Sequence, residues 1–254
     1  MAGRLTSLFD TFTERRAMRR WANAAAEAER LDLGSLRSLR GRARAVRREI
    51  DRLLTVAETR LAVSGDGPPR PLHSDWAWRP DVFCVPIRPA GRAAVGTRTA
   101  AGADVTVFHD CKLSELTLRQ IRNPGDGALP PFALSLDVLG FDGTFLSLAV
   151  DLPETVAKSL RLRHVVRVDL SVRTEKPIEI FARLNIRHGP NTEQIVRELS
   201  PEAGAAVAEF DLAYTKLNEK RIEKAWLDVI FEGPAFNAVR LNDLTLSRRP
   251  RAEV

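Results

Sequence analysis

Val166-Arg167-Val168-Asp169-Leu170-Ser171-Val172-Arg173 alternates an apolar with a polar side chain at every step. Successive side chains of a strand point to opposite faces, so this stretch reads as a strand with one face in a core and the other in water. The pattern resumes after Pro177, where Ile178, Ile180, Ala182, Leu184 and Ile186 alternate with Glu179, Phe181, Arg183 and Asn185, polar except for Phe181. Two half-buried strands in succession, with no helical period between them, point to an antiparallel β architecture.

The same period extends outward in both directions. Phe132-Ala133-Leu134-Ser135-Leu136-Asp137-Val138 and the stretch 145–152 flank Asp142-Gly143, a dipeptide that suits a two-residue turn, which predicts a hairpin. Further strands are expected over 104–109, 113–121, 194–199, 207–212, 225–231 and 239–247. About ten short strands, with turn residues every 8–12 positions and no internal repeat, predict a jelly-roll-like antiparallel β-sandwich over residues 72–254.

Before it, Ser64-Gly65-Asp66-Gly67-Pro68-Pro69-Arg70-Pro71 offers neither helix nor ladder donors and reads as a linker over 64–71. Residues 1–63 are rich in Ala, Arg, Glu and Leu and read as helical, with Gly34 and Gly41 as interior breakers. Leu36, Leu39, Ala43, Val46, Ile50, Leu53, Ala57 and Leu61 recur at spacings of three and four, a heptad-like seam. Arg37, Arg40, Arg44, Arg47, Arg48, Asp51 and Arg52 lie opposite. Three readings are open for this helix: docking on its own domain, self-association through Leu36, Leu39, Val46, Ile50 and Leu53 as a coiled coil, or binding of the Arg face (Arg37, Arg40, Arg44, Arg47, Arg48) to an anionic partner.

Charge sharpens the division. Residues 1–64 hold 14 Arg, no Lys and 8 Asp and Glu, which accounts for the whole +6 of the chain and leaves the remainder neutral. The Arg face lacks interleaved aromatics for stacking nucleobases, which disfavours nucleic acid; Trp21 and Phe12 keep a peripheral membrane contact open. No apolar run is long enough for a transmembrane helix and none near Met1 resembles a secretory signal, so cytoplasmic residence is the expectation, with a non-classical export route open. Two cysteines, Cys84 and Cys111, fit reduced thiols better than a disulfide framework or a zinc site, and no cofactor is expected.

The closing segment, Trp226-Leu227-Asp228-Val229-Ile230-Phe231 followed by Asn237-Ala238-Val239-Arg240-Leu241-Asn242-Asp243-Leu244-Thr245-Leu246-Ser247-Arg248-Arg249, resembles the last strand pair of galactose-binding-like, carbohydrate-binding-module jelly rolls. That resemblance implies a sandwich that binds a glycan. Over nearly its whole length, with segments such as Leu72-His73-Ser74-Asp75-Trp76-Ala77-Trp78-Arg79 and His188-Gly189-Pro190-Asn191-Thr192-Glu193-Gln194, the chain also resembles an alphaproteobacterial family of unknown function, which implies no activity.

Candidate chemistry is sparse. His109 and Cys111 fall two apart on an expected strand, which would put imidazole and thiol on one face as a nucleophile–base or metal pair; burial in the sandwich is the competing explanation. His188, Asn191, Thr192 and Glu193 gather at the Gly189-Pro190 turn, where polar side chains suit paired sugar hydroxyls, although such residues also build ordinary turns. Trp76 and Trp78 share a face if 75–79 is extended, available for stacking or for packing. The run 216–224 has balanced charge and reads as a solvated connection. The chain holds no GxSxG, GxxxxGK[ST], HExxH or helix-opening GxGxxG motif. The expected function is therefore a non-catalytic binding module, carbohydrate-binding-like and directed to a glycan or a cell-surface polymer intermediate; the alternatives are a protein-interaction scaffold oligomerising through the N-terminal helix and an enzyme acting on glycans.

Overall fold

The computed structural model of the chain describes residues 2–64, 68, 70–124 and 129–251. It divides into two compact units, Met1–Thr55 and Val56–Val254. Residues 65–67 and 69 of the expected linker lie outside the described residues, as do the side chains of Phe12 and Leu61.

Helix α1 runs Ala2–Glu27 and α2 runs Leu33–Ser64. The break falls at 28–32 rather than at the glycines. Asp32 Oδ1 accepts from the backbone N–H groups of Gly34 (2.9 Å) and Ser35 (3.0 Å), satisfying donors at the first turn of α2; the Ser35 side chain first, and then these backbone bonds, hold the Asp32 carboxyl below its ordinary value. Gly41 lies inside α2.

The second unit is a two-sheet antiparallel sandwich. Its strands are β1 (Trp76–Trp78), β2 (Gly91–Arg92), β3 (Thr99–Ala101), β4 (Val105–His109), β5 (Leu116–Arg122), β6 (Phe132–Val138), β7 (Leu146–Asp151), β8 (His164–Thr174), β9 (Glu179–His188), β10 (Asn191–Leu199), β11 (Ala205–Asp211), β12 (Ile222–Glu232) and β13 (Asn237–Pro250). One sheet has the order β11-β8-β13-β6-β5-β2, with β1 added along the second half of β13; the other has the order β10-β9-β12-β7-β4-β3. The mainly β class and the sandwich architecture are as the alternation predicts.

The core lies between the sheets, with Val166, Val168, Leu170 and Val172 of β8 facing Ile180, Ala182, Leu184 and Ile186 of β9 across it. In β13 the inward set changes phase, from Val239 and Leu241 to Leu244 and Leu246. A register shift between Leu241 and Asp243 makes this possible by inserting one residue while both halves keep their apolar side chains inside. The expected connection 216–224 differs in part: Leu217 is buried and β12 already begins at Ile222.

The Asp142-Gly143 hairpin does not form. β6 pairs with β5 and β13 in one sheet, β7 with β4 and β12 in the other, and residues 139–145 cross the sandwich. Asp110 ties this crossing to the β4–β5 crossing beside it, its carboxylate accepting from Thr144 N (2.7 Å), Thr144 Oγ1 (2.6 Å) and Phe145 N (3.2 Å). A Cβ on Gly143 would meet Asp110 Oδ1 at 2.5 Å and Cys111 N at 3.0 Å, so glycine is there to let two segments touch, not to turn a hairpin.

Candidate functional site

Along β4, β7, β9 and β12 the inward side chains fill the core, and the residues between them face away from it. Outward residues of a sandwich are ordinarily solvated. Here several are not: Ser147 and Ala149 of β7 are 5% and 9% exposed, Asn185 of β9 is 0% exposed and Asp228 of β12 is 5% exposed. They form the floor of a groove of about 470 Å³, walled by Phe108, Phe145, Arg183, Gln194, Trp226 and Ile230. The small side chains of β7 create the depth, because Phe108 on β4 and Trp226 and Ile230 on β12 rise on either side of them. A second hollow of about 300 Å³, bordered by Thr106, Asp151, Arg187 and Lys224, shares Phe108, Ala149 and Trp226 with the first, so Trp226 stands between two stretches of one groove.

The polar floor is organised around Asp228. Its Oδ2 accepts from Arg183 Nε (3.0 Å), Arg183 Nη2 (2.8 Å) and Asn185 Nδ2 (2.9 Å), while Oδ1 takes part in none of these bonds. Asn185 Nδ2 also donates to the Arg183 carbonyl, and its Oδ1 accepts from Gln194 Nε2 at 2.9 Å. This follows from register: Asp228 lies opposite Arg183, and Asn185 opposite both Trp226 and Gln194. Beyond Trp226, Lys224 Nζ bonds Asp151 Oδ1 at 2.7 Å and sits 5.8 Å from the indole centroid. An acceptor at Asp228 Oδ1 beside a guanidinium edge, next to an indole, can bind a ring that has an apolar face and neighbouring hydroxyls.

The residues singled out from sequence lie elsewhere, with one partial exception. Trp76 and Trp78 are extended and share a face as β1, their rings 6.4 Å apart and 16° from parallel; both are half-buried and pack on the core. His188 is buried beneath the β9–β10 turn, with Nδ1 accepting from Asn218 N at 3.4 Å and Nε2 3.7 Å from Glu193 Oε1. Asn191 and Thr192 are exposed and Glu193 is half-exposed. Of the four, Thr192 pairs with Arg187, so it continues the groove face toward the sheet edge. Arg37, Arg40, Arg44, Arg47 and Arg48 are exposed on α2, Arg47 lying 3.5 Å from Asp51.

His109 and Cys111 are not a same-face strand pair, because β4 ends at His109 and the chain turns at Asp110. The buried imidazole accepts from Cys111 N at Nδ1 (3.1 Å), so the Nε2 proton is donated to the Val95 carbonyl (2.7 Å). Burial pushes both the Cys111 and Cys84 thiols up. Among the described residues no group of three or more His, Cys, Asp or Glu is placed to hold a metal ion, and no helix is long and apolar enough to cross a membrane.

The groove residues escaped the sequence reading because Arg183, Asn185, Asp228 and Ser147 look like any solvated strand face. The available signal was the combination of small outward residues on β7 with an outward Trp226 on β12.

The family model described as "Family of unknown function (DUF6478)" matches residues 1–254. The chain belongs to that family. No curated protein matches this DUF6478 member. Among solved structures it is similar to the family 11 carbohydrate-binding module from Clostridium thermocellum in complex with a β-1,3-1,4-mixed-linked tetrasaccharide, at 10% identity over 65% of this chain and 98% of that one, TM-score 0.39. It is similar also to TmCBM61 in complex with β-1,4-galactotriose, at 16% identity over 61% and 97%, TM-score 0.34. A third is the enzymatically active domain of bacteriophage CBA120 tailspike protein 4, at 6% identity over 59% of this chain, TM-score 0.40; the match spans 21% of that chain.

Proposed function

We propose that the sandwich is a non-catalytic glycan-binding module whose site is the groove around Trp226. The observation that carries this is the polar floor: Asn185 and Asp228 are buried on the outward side of a sheet, where no core requires them, and hold one another and Arg183 in place. A pre-set floor of this kind loses little side-chain entropy when a ligand arrives. A pyranose stacked on Trp226 would give one hydroxyl to Asp228 Oδ1 and take a bond from the free edge of Arg183. Charges in the groove are matched, Arg183 with Asp228 and Lys224 with Asp151, which favours a neutral sugar over an acidic one and leaves both groove carboxylates engaged with cations.

The test is calorimetric titration of the full chain with a panel of neutral and acidic oligosaccharides, with product analysis of the same mixtures. Expected are weak saturable binding to a neutral member, intact oligosaccharide afterwards, and a loss of about tenfold or more in affinity on Trp226→Ala, as removal of a stacking ring implies. Trp76→Ala and Asn191→Ala, which lie off the groove, should leave the affinity unchanged. Binding that survives Trp226→Ala and Asp228→Ala but is lost in Trp76→Ala or Asn191→Ala would move the site to β1 or the β9–β10 turn, and no binding across the panel would overturn the glycan reading.

A further inference from the structure

We infer that α2 is an interaction surface for a second copy of the chain, and that the two copies pair antiparallel. Ile50 and Leu53 on its seam are 51% and 67% exposed, and Val46, Leu54 and Val56 are exposed with them, an apolar stripe facing water over residues 46–56, while Leu36, Leu39 and Ala43 at the other end of the seam are half-buried. The occupant follows from how charge is distributed along the helix. Its first half carries Arg37, Arg40, Arg42, Arg44, Arg47 and Arg48 with no acidic residue, a net +6 over residues 33–48. Residues 49–64 hold Glu49, Asp51 and Glu58 against Arg52 and Arg60 in the count of charges, a net −1. A parallel pair would lay +6 on +6. An antiparallel pair lays each cationic half on the near-neutral, faintly acidic half of its partner and opposes the two helix dipoles.

The seam is also self-complementary in that direction. With Leu36, Ala43 and Ile50 as one set of core positions and Leu39, Val46 and Leu53 as the other, antiparallel alignment can oppose Leu36 to Leu53, Leu39 to Ile50 and Ala43 to Val46 of the second copy, and the reverse. The result is six apolar layers with no charge in the core. That span of α2 is about 26 Å long at 1.5 Å per residue, enough for a continuous seam of roughly two and a half heptads. A nucleic acid would use the Arg face and leave this stripe in water, whereas an anionic lipid surface would engage stripe and Arg face together, so vesicle binding by the monomer is the competing outcome of the test.

Sedimentation velocity of the full chain at low and high salt tests the pairing. A dimer that strengthens with salt is expected, since each helix retains a net positive charge that screening relieves. Ile50→Asp should weaken it by about a hundredfold or more, because two buried side chains are lost per dimer; circular dichroism of the variant checks that the helix and sandwich persist, and Leu53→Asp provides a second variant. Orientation is read by spin labels at Ser35→Cys in a chain with Cys84→Ser and Cys111→Ser. Antiparallel copies place the two backbone sites about 30 Å apart along the axis, whereas parallel copies place them roughly 10 Å apart across it. A short distance, a monomer at every salt, or a monomer that co-sediments with anionic vesicles or duplex DNA only at low salt would each overturn the proposal.

Discussion

Asn185 has no exposed surface, faces away from the core, and is bonded on both ends of its amide, to Asp228 and Arg183 O on one side and to Gln194 on the other. Removing it leaves Asp228 with one donor fewer at a site that water reaches poorly, so Asn185→Ala should cost about 1–2 kcal/mol in a urea melt and weaken ligand binding as well, by loosening a floor it does not itself present. His164 makes a different kind of residue-scale statement. Its Nδ1 accepts from Arg161 N at 3.0 Å, and burial first, then Arg248, hold its pKa below 6.5, with Arg161 and Arg163 acting the same way and Asp75 opposing. The unfolded chain therefore takes up this proton first as pH falls below 6.5. The stability is whole above that value and declines beneath it. Urea midpoints should drop between about pH 7.5 and about pH 5.5, and His164→Gln should flatten the slope in that window; an unchanged slope would assign the dependence to other groups.

At the scale of elements, how much was legible depends on the range of the information. β8 and β9 are written into their own alternation, and the capping Asp32 is local too. Which sheet a strand joins is not local. β6 and β7 carry nearly the same pattern and were joined by a plausible turn signal, yet they lie in opposite sheets, because seven intervening residues suffice to cross a sandwich about 10 Å thick. Nothing in Asp142-Gly143 distinguishes a turn from a close approach until Asp110 and Cys111 are placed against it. The groove was illegible for the same reason: its depth comes from Ser147 and Ala149 lying beside Phe108 and Trp226, neighbours supplied by three strands far apart in sequence. Two glycines test the distinction. Gly143→Ala should destabilise by about 1–3 kcal/mol, since its new methyl meets a carboxylate and a backbone N–H that are both held. Gly41→Ala, on α2 with nothing within 4 Å, should stabilise the helix by about 0.5–1 kcal/mol. Thermal and urea melts of both variants decide it; equal effects would mean that helix propensity and steric approach had been wrongly separated.

For the whole molecule, the division of labour is a division of charge and of geometry. The positive excess belongs to the helical segment, while the sandwich is neutral and has its own continuous core, so a fragment of residues 72–254 should be soluble and melt cooperatively. An aggregated fragment would mean that the helices cover an apolar surface of the sandwich. If the fragment folds, it also separates the two proposals. A groove of this size engages a short stretch of polymer, and a single such contact is weak; two grooves joined through α2 make the second contact intramolecular, at an effective concentration set by the segment between helix and sandwich. The fragment and the full chain should then bind a short oligosaccharide with the same affinity per site, while the full chain is retained on the corresponding polysaccharide about a hundredfold more tightly. Ile50→Asp should bring polysaccharide retention down to that of the fragment and leave the oligosaccharide affinity untouched. Equal retention of all three would show that the groove works singly, whatever α2 does; unequal oligosaccharide affinity would show that the helices reach the groove itself.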